Sequence, residues 1–340
     1  MIHTVIFTRR APRHFPSQRR HWLVLAVLLP CLCISAPSCL AQEREDEIVA
    51  NLASGRVIVH VTKEGIAFAT IEKPLEPSSI PPRIVSINSL HMGVMLGAAE
   101  WVFPSQGSNV IRVEKHLSSG GGSGGATRQS PGEAEMDLDR IGESFLEALR
   151  PLVEQLHSKV ELGPEDPLFE LVVIGYGPEH YGPEVWLFEY RIEQEELRGN
   201  YLRTRILRPR TTQLYPPEKH EPKRLIEVRY PPDLKGPDLQ VMIQRNDPEI
   251  ARLVSSEPRF AKVTEKIDAG QANVAKFLDA LDFLRAAVGT TAGKARFTVG
   301  KFEEERGFAW LVAPEEPVER AEEDKNRPAE APTLVRKPKP

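Results

Sequence analysis

The sequence predicts an α+β domain in which two layers of strands pack together and helices cover them on the outside. Alternating and compact apolar runs predict strands between residues 46 and 101 and again over 167–192. Apolar residues at three- and four-residue spacing predict helices over 138–156 and 271–288. The resulting order is strands, helix, strands, helices and a last hairpin, which suits two stacked antiparallel sheets.

Two hairpins open the domain, ASGRVIVHVTKEGIAFAT (53–70) and RIVSINSLHMGVMLGAAEW (83–101). The first turns at the sequence Lys-Glu-Gly, and each strand alternates its side chains between two faces. His60 is therefore expected on the face opposite three valines of the same strand, which are Val57, Val59 and Val61.

The later elements follow the same two patterns. Pro151 lies inside the first helical pattern and is expected to kink that helix or to begin a second one. Between 199 and 245, strands are predicted at YLRTRIL, RLIEVRY and LQVMIQ, and a further helix is predicted over 247–268. LFELVVIGY and EVWLFEYRI form a central strand pair, and KARFTVGKF and GFAWLV form a closing hairpin.

Residues 1–41 have the pattern of a secretory signal peptide. Five arginines precede the apolar stretch WLVLAVLLPCLCISA, and small residues up to Ala41 form a cleavage point. The prediction is cleavage near Ala41 and export to the periplasm or the medium. An uncleaved anchor, twin-arginine export and lipidation of Cys39 stay open as alternatives.

Composition limits the partners and cofactors. The whole chain has a formal net charge of −4, and residues 1–41 hold five arginines and no acidic residue, so the remainder has a net charge near −9. This balance argues against nucleic acid or an anionic membrane as the main partner. All three cysteines lie in the signal, the histidines lack metal-ligand spacing, and no phosphate-binding glycine loop is present. We therefore expect no metal and no cofactor, and no later stretch is long enough to span a bilayer.

One domain is predicted over 45–313. The segment SSGGGSGGATRQSPGE, residues 118–133, has the composition of a flexible Gly/Ser-rich loop inside that domain. The charged and proline-rich residues 314–340 are predicted to be disordered, because they contain too few apolar side chains to build a core.

Four segments together resemble the proteasome-type branch of the N-terminal nucleophile hydrolases. VIVHVTKEGIAFAT is similar to that family's opening hairpin, and PPRIVSINSLHMGVMLGAAEW is similar to its next hairpin. FELVVIGYGPEHYGPEVWLFEY is similar to the central hairpin, and FLDALDFLRAAVGTTAGKARFTV with GFAWL to the final helix and strands. The resemblance implies a four-layer αββα sandwich of two antiparallel sheets, with insertions.

The residues that this family uses in catalysis are replaced at the matching positions. Members of the family use a Thr or Ser at the start of the processed chain, whose free amine is the base and whose hydroxyl attacks a carbonyl. The resemblance puts Gly55 at the nucleophile position, Ile71 at that of an orienting aspartate (with Glu72 adjacent), and Arg83 at that of a lysine. Glycine has no hydroxyl, and arginine does not release its proton. These replacements imply that family-type peptidase activity is lost.

Ser54 and three histidines are the remaining candidates. Ser54 would become a nucleophile only after a second cut behind Ala53, and it is otherwise a loop serine before a strand. His60 is expected to be packed or hydrogen-bonded, and His91 to lie at a hairpin turn. His180 lies in a Gly/Pro loop, where functional residues often collect.

The leading hypothesis is an exported, non-catalytic proteasome-like domain that binds or scaffolds an unknown protein or small molecule. The alternatives are an amide hydrolase processed to expose Ser54 and an unrelated exported α+β protein. A basic cluster either binds an acidic partner or is the solvated edge of a strand. Its members are Arg203, Arg205, Arg208 and Arg210.

Overall fold

The computed structural model has the predicted α+β class, with antiparallel sheets and helices. The predicted 118–133 loop, most of residues 1–41 and the tail beyond residue 314 lie outside the residues that it describes. The described residues are 6–7, 48–73, 79–103, 109–114, 138–156, 160, 162–163, 165–177, 182–197 and 201–314.

The described strands form three antiparallel sheets. The eight-stranded sheet has the order β1-β2-β6-β8-β9-β12, with β5 and β7 also paired to β6, and the five-stranded sheet has the order β13-β3-β4-β14-β15. Strands β10 and β11 form a separate hairpin. The strands are Ile6–Phe7 (β1), Ile48–Ala53 (β2), Gly55–Val61 (β3), Ile66–Glu72 (β4), Arg83–Ser86 (β5), His91–Phe103 (β6), Asn109–Arg112 (β7), Phe169–Tyr176 (β8), Pro183–Tyr190 (β9), Ile192–Leu197 (β10), Tyr201–Ile206 (β11), Arg210–Tyr215 (β12), Ile226–Tyr230 (β13), Phe297–Glu303 (β14) and Gly307–Val312 (β15).

The predicted hairpins are confirmed. β3 and β4 pair from Gly55 opposite Glu72 to Val61 opposite Ile66, and β5 pairs with the first residues of β6. β8 pairs with β9, and β14 pairs with β15. Five further strands were not predicted individually, namely β1, β2, β7, β10 and β12.

The helices differ from the prediction at their boundaries. The described helices are Leu138–Val153 (α1), Leu239–Gln244 (α2), Pro248–Ser256 (α3), Pro258–Asp268 (α4) and Phe277–Ala292 (α5). Helix α1 continues through Pro151 and ends at Val153, so the prediction of a second helix starting at that proline is wrong.

Two predicted elements between 239 and 268 are wrong. LQVMIQ forms helix α2 and not a strand, because Leu239, Met242 and Ile243 have the spacing of one helix face and are buried together. The predicted helix over 247–268 is split into α3 and α4. A residue before proline is disfavoured in the helical region, and Glu257, which precedes Pro258, is extended with φ −133° and ψ 95°.

The last helix also begins later than its pattern suggested. The segment starts with a 3₁₀ turn at Ala272–Val274, and α5 begins only at Phe277. Val274 and Leu278 belong to the apolar pattern that predicted a helix over 271–288, but they are 44% and 67% exposed.

Three apolar clusters hold the elements together. One joins α1 to one face of the eight-stranded sheet, and another joins helices α2–α5 to one face of the five-stranded sheet. The third lies between the two sheets and includes the valines of β3 together with Val94, Leu96 and Val172. His60 lies on the opposite face of β3, as predicted, and its Nε2 contacts the carbonyl oxygen of Ala272 at 3.0 Å.

Ser54 is the only residue between β2 and β3. β2 belongs to the eight-stranded sheet and β3 to the five-stranded sheet, so the chain passes from one sheet to the other at this residue. This crossing fixes the position of Gly55, where β3 begins.

Candidate functional site

The start of β3 has no room for a side chain at Gly55. Gly55 lies between Glu72 of β4 and Tyr230 of β13, and its φ of +150° is in a region that L residues rarely adopt. A Cβ atom built on Gly55 would lie 2.1 Å from the carbonyl oxygen of Ile71. The position that resembles the family's nucleophile therefore excludes every side chain, hydroxylic or not.

The side chains at the aspartate position and next to it, Ile71 and Glu72, both make other contacts. Ile71 is buried in the cluster that faces the helices. Glu72 is also buried and accepts two hydrogen bonds from Arg296, at 2.6 Å from Nε and 2.7 Å from Nη2. This bidentate pair gives Glu72 an arginine partner that stays protonated.

Arg83 is part of an ion-pair network on the eight-stranded sheet. Its Nη2 donates to Glu100 Oε2 at 3.2 Å, and Arg112 Nε donates to the same oxygen at 3.3 Å. The other oxygen of Glu100 accepts from Asn51 Nδ2 at 2.8 Å. Arg83 therefore compensates a buried carboxylate, and its described contacts do not reach Ser54 or Gly55.

Ser54 is fully buried, and its polar atoms are already hydrogen-bonded. Its hydroxyl donates to the carbonyl oxygen of Lys73 at 2.7 Å, and its backbone N–H donates to the carbonyl oxygen of Ile80 at 3.1 Å. A cut before Ser54 would separate β2, which contributes the buried Ala50 and Ala53, from the rest of the domain.

Tyr230 fills the space between the sheets beside Gly55. It is 2% exposed, and its hydroxyl donates to the carbonyl oxygens of Pro167 at 3.2 Å and Leu168 at 3.4 Å. A Cβ built on Gly97 would lie 3.0 Å from the tyrosine ring, so the glycine of the opposite sheet makes space for that ring. The phenol thus closes the end of the inter-sheet space at which β3 begins.

Glu170 lies beside Tyr230 and is the least compensated carboxyl group of the site. It is 4% exposed, and its Oε2 has no hydrogen-bond partner within the described part of the chain. Burial, and then the negative charge of Glu189, raise the pKa of Glu170 to about 8. Glu189 lies directly opposite on β9 and pairs with Arg191 at 3.4 Å and with Arg210 at 3.8 Å.

A second, partly buried carboxylate lies at the other end of β8. His91, the first residue of β6 and not a turn residue as predicted, places Nε2 2.6 Å from Glu184 Oε1. Trp186 Nε1 donates to the second oxygen of Glu184 at 3.0 Å. Burial raises the pKa of Glu184, but the hydrogen bonds from His91 and Trp186 outweigh it, so the pKa lies below its usual value.

The ring of His91 has hydrogen-bond acceptors on both sides. Its Nδ1 lies 3.2 Å from Asn88 Oδ1, an oxygen that also accepts from the backbone N–H groups of Leu90 and His91. A ring that faces two oxygens donates from both nitrogens when it is protonated. The ring of His91 thus bridges Asn88 and Glu184, and its contact with Glu184 ties β6 to β9.

The other predicted candidates do not join either cluster. His60 is a packed histidine, as predicted, and burial lowers its pKa to about 4. His180 lies outside the described residues. Three arginines of the basic cluster are matched by acids, in the pairs Arg205–Glu193, Arg208–Glu143 and Arg210–Glu189.

Sequence reasoning missed Glu170, Glu184 and Tyr230. A signal for Glu170 exists, because it is the one charged residue of the otherwise apolar strand LFELVVIGY. Tyr230 gives no comparable signal, since its position depends on the pairing of β13 with β3 across more than 160 residues.

No model of a known protein family matches the sequence, and no curated protein is found as a relative. Within the described ranges, no group of three or more His, Cys, Asp or Glu side chains comes together as a metal site. Of the described helices, none is both long enough and apolar enough to cross a membrane.

Proposed function

We propose that this protein is an exported, proteasome-like domain of four αββα layers that has lost catalysis and acts in binding or scaffolding. The observation that carries the proposal is the start of β3, where a Cβ on Gly55 would lie 2.1 Å from a backbone oxygen. An attacking hydroxyl needs a side chain at that point of the fold. Because the site has no space for a side chain, it differs from a hydrolase site more strongly than a replaced residue alone would indicate.

The surrounding residues support the same proposal. The free amine that acts as the base needs a lysine of adjustable pKa nearby, whereas Arg83 is committed to Glu100 and Glu72 is committed to Arg296. Tyr230 pairs with Gly55 across β13 and β3, and its side chain is buried in the cluster between the two sheets. The order of strands and helices, with one apolar cluster shared by both sheets, supports the proteasome-like layering.

Export of the full chain followed by N-terminal sequencing tests this proposal. We expect the mature chain to begin near Gln42, with β2 intact. The mature protein should then be exposed to an electrophilic probe that reacts with N-terminal Thr and Ser nucleophiles, and its intact mass should be measured. We expect no adduct.

Ser54→Ala is the matched control for both measurements. The proposal is overturned if the mature chain begins at Ser54 and forms an adduct that the Ser54→Ala variant does not form. An experimental structure in which the two sheets are not stacked between helices would instead favour an unrelated exported α+β protein.

A further inference from the structure

We infer that a protonated Glu170, placed opposite Glu189, forms an alkaline-sensitive latch that keeps the Tyr230 side chain inserted between the two sheets. This inference does not depend on the proposed function, because it concerns only how the end of the inter-sheet space is kept closed.

The two carboxyl groups are neighbours on one face of the sheet. Glu170 of β8 and Glu189 of β9 are directly opposite each other in an antiparallel pair, and such pairs have Cβ atoms about 4.5–5.5 Å apart. Residues two positions away on each strand, Val172 and Leu187, belong to or pack against the inter-sheet cluster. Because strand side chains alternate, both glutamates face the five-stranded sheet and not α1.

The charges around this pair balance only one carboxylate. Arg191 lies 2.5 Å from Glu165 and 3.4 Å from Glu189, and Arg210 of β12 lies 3.8 Å from Glu189. Asp166 adds a further negative charge just before β8, and its field reaches Tyr230. Neither arginine forms an ion pair with Glu170. Two ionised carboxylates on adjacent strands would therefore repel each other in a region with little water.

A proton on Glu170 resolves this conflict. Glu170 Oε2 has no partner among the described residues, whereas Glu189 already has two cationic neighbours, so the proton belongs on Glu170. Burial raises the pKa of Glu170 to about 8, with the charge of Glu189 as the second cause. Burial also raises the pKa of Tyr230 well above its usual range, so the phenol itself does not ionise in the same interval.

Loss of the proton acts on Tyr230 because the phenol lies next to Glu170. Ionised Glu170 requires hydration, and the buried Tyr230, whose phenol is affected by the charge of Glu170, would have to move to admit water. The tyrosine is retained by hydrogen bonds to two backbone oxygens, those of Pro167 and Leu168. Breaking them frees the end of β13, where Tyr230 pairs with Gly55.

Hydrogen exchange of β13 between about pH 6 and pH 9 tests the latch. Exchange of peptides that cover residues 226–230 is measured on the full chain and corrected for the intrinsic pH dependence of amide exchange. In the wild type we expect the protection factor of β13 to fall at least about tenfold as Glu170 ionises, while β14 stays protected. In Glu170→Gln, which keeps the shape and cannot ionise, β13 should remain protected throughout.

Glu193→Gln on the exposed face of β10 is the matched control, and it should behave as the wild type does. The latch is refuted if β13 of the wild type keeps its protection up to about pH 9, or if Glu170→Gln loses protection in the same way. If Glu170→Gln fails to fold, the Glu189→Gln variant tests the proposal instead. Removal of the neighbouring charge should move the midpoint of the transition to lower pH, and an unchanged midpoint contradicts the proposal.

Discussion

Glu170 is a buried and Glu184 a partly buried carboxyl group at opposite ends of the same pair of strands, and their surroundings drive their pKa values in opposite directions. Glu170 lies opposite Glu189 and Glu184 lies opposite Gly175, so the two sites are five residues apart along β8, or roughly 17 Å. At one end a carboxyl oxygen has no partner and a like charge is adjacent. At the other end both oxygens accept hydrogen bonds, from His91 and from Trp186.

The difference shows that burial alone does not determine the charge of a glutamate in this sheet. Both groups lose water, and in both that loss favours the neutral form. Only Glu184 gains donors that reverse the effect. The end of the sheet near Gly55 therefore favours a protonated carboxyl group, whereas the end near His91 favours an ionised carboxylate that accepts two hydrogen bonds.

The largest effect is expected from Gly55→Ala at the Glu170 end. The new Cβ would contact the Ile71 carbonyl oxygen, and we expect the free energy of unfolding to fall by more than about 3 kcal/mol. Gly293→Ala is the control, because Gly293 also has a positive φ, of 60°, but nothing lies within 4 Å of its Cβ position. It should cost about 1 kcal/mol. Equal losses in urea unfolding would show that Gly55 is required for its backbone conformation and not for space.

Glu170→Gln should show that ionisation of Glu170 destabilises the protein at alkaline pH. The folded-state pKa of about 8 is above the unfolded value of 4.5, so the stability associated with this proton is present below pH 4.5 and lost as pH rises to 8. We expect the variant and the wild type to unfold alike near pH 4.5, and the variant to be more stable at pH 9 by on the order of 3 kcal/mol. Urea unfolding at both pH values measures this, and a constant difference would contradict the assignment.

His91→Ala should make the Glu184 end of the strand pair resemble the Glu170 end, where a carboxyl oxygen has no partner in the described part of the structure. Glu184 would lose its closest donor while staying largely buried, and we expect a loss of about 2 kcal/mol at neutral pH. The pKa of Glu184 should rise, which a carboxyl-specific NMR titration can follow. His60→Met is a useful comparison, since His60 is buried and contacts no carboxylate through its described hydrogen bond. If the pKa of Glu184 stays low in His91→Ala, the hydrogen bond from Trp186 is sufficient to keep it low.

The smallest effect is expected for Tyr230→Phe. The variant removes one hydroxyl that donates to Pro167 and Leu168 and keeps the ring in place, so the loss should be about 1 kcal/mol. The alkaline loss of stability should persist, because Glu170 and Glu189 are unchanged. Thermal unfolding at pH 6 and pH 9 measures both parts. Disappearance of the pH dependence would place its origin in the tyrosine.

Much of the fold could be predicted because its hairpins are encoded locally. Alternation in β3 and the Lys-Glu-Gly turn define the first hairpin over a few residues, and the same is true of β14 and β15. The errors arose where short segments fit two patterns. Six residues of LQVMIQ are too few to distinguish a strand from a helix, and the edge strands β10 and β12 consist mainly of polar residues.

The candidate site could be predicted only in part, because its geometry depends on contacts between distant segments. The resemblance identified Gly55, but the clash with Ile71 depends on the register of β3 against β4. The closeness of Glu170 and Glu189 depends likewise on the register of β8 against β9. The orientation of Tyr230 toward Gly97 is a tertiary contact between the two sheets, and no local pattern encodes it.

The one-residue crossing at Ser54 has a mechanical consequence. β2 and β3 are joined without a slack loop, and each is hydrogen-bonded into a different sheet. A pulling force applied at Ile48 would break the hydrogen bonds between β2 and β6 one at a time, and it would then act directly on β3. The two sheets would therefore resist a pulling force from the amino-terminal side one after the other, and Ser54 is the residue that joins them.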